Sequence, residues 1–462
     1  MKTRFLLVVG LLLTFFTDAN AQFKIDAQFR IRGQALHGYK RPIPEETDAA
    51  FHVGQRTRLN LRYNTEKFSS LVSIQDVRTW GDANNVVSTG VLGKSYNNLD
   101  IYEAWVNYKF NKISNIKIGR QEMKYDDQRH LSWRNWWDTG LSYDAVTFTH
   151  NNNETGWRWD LSASYNSRDS FRELTGNDYS GGTDYFGKVN PIQTQSFFYL
   201  RKNIKDKMYV SLTAIASGYQ KEETKNTMYI TATEGLHFNY NTNTINVGSP
   251  NMNVTDGFFG VANAFIQNGT NIQGKKIEAN MFTAQFGYRA MSKKLEVSAK
   301  MERLSGHDAK KTDLDYNNKV HTYNLLYGGR HPYYGGHLDW FVVPKSTGNG
   351  GLFSLGLSLK YNLTPKDSFW FEYNNVSTAE NAKSIISTND EPIFYYDGNL
   401  ANTIDLTYVR KVVKNVKWMT GFSYGIPSDG FNKLWGINNG GTNYTFYTMV
   451  IFTPKFFNSS KK

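Results

Sequence analysis

Most of the chain alternates between apolar and polar side chains. Phe23, Ile25, Ala27, Phe29 and Ile31 fall on one face of an extended segment, and Lys24, Asp26, Gln28, Arg30 and Arg32 fall on the other, since successive side chains of a strand point to opposite sides. The same period returns where Thr57, Leu59, Leu61 and Tyr63 oppose Arg56, Arg58, Asn60 and Arg62. It recurs where Trp157, Trp159, Leu161, Ala163 and Tyr165 oppose Arg158, Asp160, Ser162, Ser164 and Asn166, and where Leu355, Leu357, Leu359 and Tyr361 oppose Ser354, Gly356, Ser358 and Lys360. The last clear segment places Tyr444, Phe446, Thr448, Val450 and Phe452 on one face. A soluble sandwich also alternates. Here, however, Trp, Tyr and Phe crowd the apolar face near segment ends, as in the aromatic girdles of a membrane barrel.

The pattern predicts an all-β transmembrane antiparallel up-and-down β-barrel with long extracellular loops. Seventeen to nineteen such segments can be traced, and the even strand number of bacterial single-chain barrels favours 18. Asn111-Lys112 and Thr364-Pro365-Lys366-Asp367 are expected as tight periplasmic turns. Residues 37–52, 81–98, 168–193, 241–275 and 379–400, rich in Asn, Gly, Ser and Thr, are expected as extracellular loops or plugs. No heptads and no solenoid repeat occur, so residues 22–462 form a single barrel domain whose repeat is the hairpin.

The first residues change the picture only by adding an address. Lys2 and Arg4 precede an apolar run from Phe5 to Phe16, and Ala19-Asn20-Ala21 follows. This predicts a secretory signal over residues 1–21, because the run is shorter than the roughly 20 residues a membrane-spanning helix needs. Taking Lys2, Arg4 and Asp18 from 53 basic and 41 acidic residues leaves 51 against 40. With 29 tyrosines, a mean hydropathy of −0.55 and no cysteine, neither a disulfide framework nor a thiolate metal site is available.

In a barrel the clustered arginines must face the lumen, because lysine or arginine on the lipid face costs roughly 2–4 kcal/mol at midplane. Arg30, Arg32, Arg56, Arg58 and Arg62 would make a basic wall that favours anions, each guanidinium able to hold a carboxylate by two hydrogen bonds. Arg78 extends that set. Asp76, Glu103, Asp126, Asp127 and Asp144 would fix arginine rotamers and keep a polyanion from binding too tightly to leave. The dense stretch 117–144 is expected in the barrel wall, its charges toward the pore and its aromatics at the membrane boundary. Phe446, Val450 and Phe452 are expected beside Phe23 and Ile25 at the closing seam.

Gly119-Arg120-Gln121, Asp127-Gln128-Arg129, Trp137 and Tyr143-Asp144-Ala145 together resemble the alginate export family of outer-membrane barrels. The run Leu326 to Phe341, with His331, Gly336 and Asp339, is similar to another segment of that family, and Ser305-Gly306 after Glu302 is a weaker match. The chain departs from the family pattern at His130-Leu131-Ser132 and at Gly329-Arg330. The resemblance implies an 18-stranded monomer in the Gram-negative outer membrane, passing an acidic polysaccharide or oligosaccharide such as alginate by passive diffusion. It implies a constriction drawing on Arg56, Arg58, Arg120, Arg129 with Asp127, and His331 with Asp339. Gln121, Gln128, Glu103 and Asp144 complete the expected lining. Periplasmic export or uptake partners are expected, and no cofactor.

Other chemistries are disfavoured by context. Gly421-Phe422-Ser423-Tyr424-Gly425 has the nucleophile-elbow spacing, but it alternates like a strand and no helix follows. His331 and His337 match no common zinc spacing. Asp313, Asp315 and Asn317 lack the glycine and terminal glutamate of a calcium loop. Charge spread along strands, rather than on one face of a compact domain, argues against nucleic acid. The alternative reading is a general diffusion porin for small anionic or neutral solutes.

Overall fold

The computed structural model describes residues 21–80, 99–165, 192–220, 228–242, 254–329, 333, 336–386 and 393–459. The expected signal lies, apart from Ala21, outside them, as do residues 81–98 and most of 168–193.

Eighteen long strands carry the wall. They are β1 (Gln22–His37), β2 (Ala50–Asn64), β3 (Phe68–Thr79), β4 (Leu99–Lys109), β5 (Ser114–Gln121), β6 (Tyr143–Asn152), β7 (Trp157–Tyr165), β8 (Ile192–Lys205) and β9 (Met208–Gln220). There follow β10 (Met228–Tyr240), β11 (Gly257–Gly269), β12 (Ala279–Ala290), β13 (Leu295–Leu304), β14 (Leu352–Asn362), β15 (Asp367–Ser377), β16 (Asn399–Val413), β17 (Val416–Pro427) and β18 (Asn443–Phe452). Each pairs antiparallel with its sequence neighbours, and β18 pairs antiparallel with β1. The sheet is therefore closed, which removes its edges. At the seam Phe452 faces Phe29 and Phe446 faces Ala35. Phe23 and Ile25 instead meet a short extension, Lys455–Asn458, where Ile25 faces Phe457. The expected seam partners are thus displaced along β1, because the chain bends at Thr453-Pro454 and resumes pairing.

Connections alternate between short and long. The turns at 65–67, 110–113, 153–156, 206–207, 291–294, 363–366 and 414–415 share one end with both described termini. That end is periplasmic by the usual asymmetry of these barrels. The stretch 241–275 is not one extracellular loop. Its residues 257–269 form β11, and 241–256 join β10 to β11 at the tight-turn end. Asn and Gly in β11 give it the composition of a loop, while Phe259, Phe265 and Gln267 point inward as a strand requires.

The outward face is apolar along the strand middles and aromatic near the tight turns. Phe68, Tyr108, Phe110, Phe148 and Trp159 form a run of ring contacts 5.0–6.0 Å apart from β3 to β7. Glu234, midway along β10 between Leu236 and Ala232 on the outward face, is the one mid-strand charge there among the described residues.

The lumen is filled unevenly. Two long connections, 122–142 and 305–351, turn into it. Trp340, Phe341 and Val343 from the second pack with Phe431 and Leu434 of the helix Asp429–Leu434 (α1) against Leu304, Leu352, Val376 and Leu400. All four wall residues lie at the long-loop ends of their strands, so this apolar core occupies the outer half. The inner half keeps open cavities.

Candidate functional site

The connection 122–142 carries Trp133, Trp136 and Trp137, too much apolar surface to leave in water, and is received by the inward faces of β1 and β2. A backbone that leaves the sheet needs partners for its carbonyls, and guanidinium groups supply five donors each. Arg30 Nη2 donates to the carbonyls of Trp136 (3.2 Å) and Trp137 (2.9 Å) and pairs with Asp138. Arg32 donates to Trp136 O (2.9 Å) and Asp138 Oδ2 (3.1 Å). Arg56 Nη1 reaches Trp137 O (3.2 Å) and Asp138 O (3.3 Å), and Nη2 reaches Asn135 Oδ1 (2.8 Å). Arg58 Nη2 and Gln75 Nε2 both donate to Thr139 O, at 3.2 and 3.0 Å. Arg58 also lies 3.3 Å over the Tyr102 ring, and Arg32 4.7 Å over Trp136.

All four arginines are buried. Arg30 and Arg32 pair with one carboxylate, Asp138, and Arg56 lies close to it. Burial alone would raise its pKa, but Arg32, Arg30 and Arg56 outweigh that and hold it well below the usual carboxylate range. Three guanidiniums around one carboxylate leave positive charge in excess, and Arg58 adds to it beside the same inserted loop. Two glycines make room for it. A side chain on Gly54 would come within 2.9 Å of Asp138 Oδ2, and Gly140, at φ +70°, sits where a Cβ would meet Arg58 Nη2 at 2.6 Å.

The other side of the loop is tied as firmly. Asp126 accepts from Tyr199 Oη (2.8 Å) and Ser211 Oγ (2.7 Å). Asp127 accepts from Arg129 Nε (3.1 Å) and Asn263 Nδ2 (2.8 Å), and Arg129 Nη2 donates to buried Glu302 (2.7 Å). Burial opposes ionisation of Asp127, and Arg129 more than offsets it, so its pKa is lowered. Arg134 donates to Gly328 O (2.9 Å) and Leu326 O (3.0 Å), joining the two inserted connections. His130, bonded to Tyr323 Oη (2.7 Å), and His337, bonded to Thr407 Oγ1 (3.0 Å), are both pushed by burial down to about 3.

The expected site residues divide accordingly. Arg30, Arg32, Arg56 and Arg58 face the lumen but grip the loop rather than forming an open basic wall. Arg62, also inward, pairs with Asp26 at 3.2 Å. Glu103 accepts from Trp105 Nε1 (3.1 Å) and from the Glu122 amide (3.2 Å), holding the start of the loop. Gln121 donates to Ala145 O (2.9 Å), and Gln128 accepts from Gly329 N through its carbonyl (2.8 Å). Asp339 is buried in the second connection, near Tyr39. His331 lies outside the described residues.

Three of the residues expected to line the pore point the other way. Arg120 and Asp144, paired at 2.9 Å, share their strand faces with exposed Ile118 and Val146, so they point outward. Arg78 likewise shares a face with exposed Val72 and pairs with Asp76. All lie near the long-loop ends, beyond the apolar band, where an outward charge meets water or headgroups instead of hydrocarbon. A fourth correction concerns 117–144, which is wall only through Gln121 and from Tyr143. Its tryptophans are lumenal. Asp138, Gln75, Tyr102, Arg134 and Asn263 were not anticipated. Asp138 alone had a sequence signal, a lone carboxylate after Trp136-Trp137.

Ser423 of the elbow-like spacing does meet Asp405, and the His337 amide lies 3.1 Å from Asp405 Oδ1. The serine donates to the carboxylate and the imidazole Nε2 is engaged by Thr407, so no base acts on the hydroxyl. The trio anchors the second inserted connection.

At the tight-turn end two cavities remain. One of about 670 Å³ lies against β4 to β7 and includes Trp105, Lys117, Glu122 and Lys124; one of about 380 Å³ includes Trp136, His337, Lys360, Trp370 and Glu372. Cations sit on indoles in and beside them, with Lys117 4.5 Å from the Trp105 ring, Lys124 3.5 Å from Trp133 of the inserted loop and Lys360 5.5 Å from Trp370.

Comparison with known proteins places this geometry. Residues 21–342 match a family model described as alginate export. No curated protein matches the chain. Among solved structures, the outer membrane protein OpdK of Pseudomonas aeruginosa superposes with a TM-score of 0.56 at 9% identity, covering 95% of this chain and 99% of its own. OccAB1 of Acinetobacter baumannii gives 0.57 at 10%, covering 94% and 97%. A BenF-like porin from Pseudomonas fluorescens Pf-5 gives 0.57 at 10%, covering 94% and 99%. At such identities the likeness is one of fold.

Proposed function

Because the chain belongs to the alginate export family and is an outer-membrane β-barrel channel, we propose that it passes an acidic polysaccharide or oligosaccharide such as alginate, and that its pore prefers anions. One observation carries the reading. Arg30, Arg32 and Arg56 surround the single carboxylate of Asp138, with Arg58 holding the same loop at Thr139, and the residual positive charge is buried in protein, where its field is weakly screened. A passing carboxylate meets that field without meeting the guanidiniums themselves, which are buried behind the loop with their terminal nitrogens bonded to it. Attraction without tight contact suits a conduit, which must admit its cargo and release it.

The indole-ammonium pairs below the loop favour saccharide over simple ions. An indole face takes the C–H face of a pyranose ring, and a neighbouring ammonium takes its carboxylate. Direction follows the gradient across the membrane. Several inward arginines and carboxylates, including Arg62 with Asp26 and Arg129 with Asp127, act as structural pairs in this reading.

The test is the reversal potential of the purified protein in a planar bilayer under a KCl gradient, with and without oligouronate. Anion selectivity with block by oligouronate is expected. A weakly selective pore indifferent to oligouronate would leave a general diffusion porin.

A further inference from the structure

Along the tight-turn half of the lumen nearly every carboxylate is already engaged. Glu122 is held by Lys124 (2.5 Å) and Tyr102 Oη (2.8 Å), and Glu103 by the Trp105 indole and a backbone amide. Across the barrel Glu372 is held by Lys300 at 2.6 Å. These pairings leave Lys117 on β5 and Lys360 on β14 among the inward lysines with no carboxylate partner in the described residues. Each instead sits over an indole contributed by the adjacent strand, Trp105 on β4 and Trp370 on β15. Each lies within four residues of a tight turn, so the two occupy similar depths, within roughly 13 Å of the rim at about 3.3 Å per residue. Each lines its own cavity.

We propose that Lys117 with Trp105 and Lys360 with Trp370 are two matched docking stations at the periplasmic mouth, each taking one carboxylate-bearing pyranose ring before the chain reaches the inserted loop. This rests on the reading of the channel as a conduit for acidic saccharide and adds to it where that cargo first binds. The indole restrains the ammonium by cation–π attraction, so the lysine loses little further freedom when a carboxylate pairs with it. The remaining indole edge offers apolar contact to the ring. A neutral sugar gains the second interaction and lacks the first, so the stations select for acidity. Glu122 and Glu372 engage the neighbouring ammoniums of Lys124 and Lys300, which limits each station to a single charge pair and keeps dwell short.

Two measurements separate this inference from the reading beneath it. The first is the rate at which a mannuronate hexamer blocks single channels, compared between sides, with orientation assigned from one cysteine introduced in a tight turn, since the chain has none of its own. Lys117→Gln combined with Lys360→Gln is expected to lower the blocking rate from the tight-turn side about tenfold. The rate from the long-loop side and the reversal potential should hold, as they should in the outward-facing control Lys202→Gln. An unchanged rate, or an equal fall from both sides, overturns the stations. The second is protection of Lys117 and Lys360 from acylation by free glucuronate, read by peptide mass. Protection of both, with glucose ineffective, is expected. If the hexamer fails to block yet glucuronate protects, the conduit reading falls and the stations stand. If it blocks without protection, the stations fall and the conduit stands.

Discussion

Arg32 on β1 and Asp138 in the β5–β6 connection meet at 3.1 Å with both side chains almost wholly removed from solvent. Asp138 also pairs with Arg30 and lies close to Arg56, so one carboxylate balances part of the charge of three guanidiniums. Breaking a buried pair from one side costs roughly 3–5 kcal/mol because the other charge is left uncompensated. Asp138→Asn, which keeps the shape and removes the charge, is therefore expected to lower unfolding stability by that amount and to give larger, noisier single-channel currents as the loop leaves its seat. Thermal unfolding in detergent and bilayer recordings check the two effects together.

Gly54 separates the loop's steric role from its charge. A side chain there would strike Asp138 Oδ2, so Gly54→Val should displace the loop with every arginine retained. Conductance is expected to rise while anion preference persists. A variant whose selectivity vanished along with the loop would show that the loop, rather than the arginine field, selects.

Acid should act through two histidines before it acts on the clasp. His130 and His337 are lowered to about 3, so the folded chain binds fewer protons than the unfolded one between that value and about 6.5. Stability therefore falls as pH drops through that window, by on the order of 1 kcal/mol per pH unit for each ring. Asp138 has the opposite sign of charge and a depressed value. Its contribution is present above the ordinary carboxylate pKa of about 3.9 and is lost only below it. Urea unfolding midpoints in detergent from pH 7.5 to 4 are expected to decline below pH 6.5, with a shallower slope in His337→Asn.

Glu234 should be a stability cost. It lies mid-strand on the outward face with no hydrogen bond or ion pair among the described residues. Glu234→Leu is expected to stabilise the barrel in lipid vesicles by about 1 kcal/mol, less than the roughly 2–4 kcal/mol cost of a basic residue at midplane. Glu234→Lys should destabilise it. Reversible unfolding in vesicles measures both.

Much of the wall could be read directly. The two-residue period places Arg30, Arg32, Arg56, Arg58 and Arg62 inward, because hydrocarbon on one side and protein or water on the other impose a physical difference on alternate positions. Toward the strand ends that difference fades, which is why Arg78, Arg120 and Asp144 point outward against expectation. The insertion of 122–142 was illegible for another reason. Trp133, Trp136 and Trp137 next to Arg134 and Asp138 have the composition of a strand end at a membrane boundary, and nothing local distinguishes a lipid interface from a lumen lined by guanidiniums. The partners that decide it, Arg30 and Arg56, are 79–108 positions away.

That separation is nevertheless modest for a closed barrel, whose seam joins Phe29 to Phe452. The arginines, Gln75, Tyr102 and the loop they hold all belong to the first six strands. A growing sheet of those strands already contains the donors for every carbonyl at the clasp, so this part of the interior can form from near neighbours in sequence, whereas the seam must wait for the last strand. Assembly can then run outward from a furnished interior, with the later strands closing around an occupied lumen instead of a loop having to thread into a finished ring.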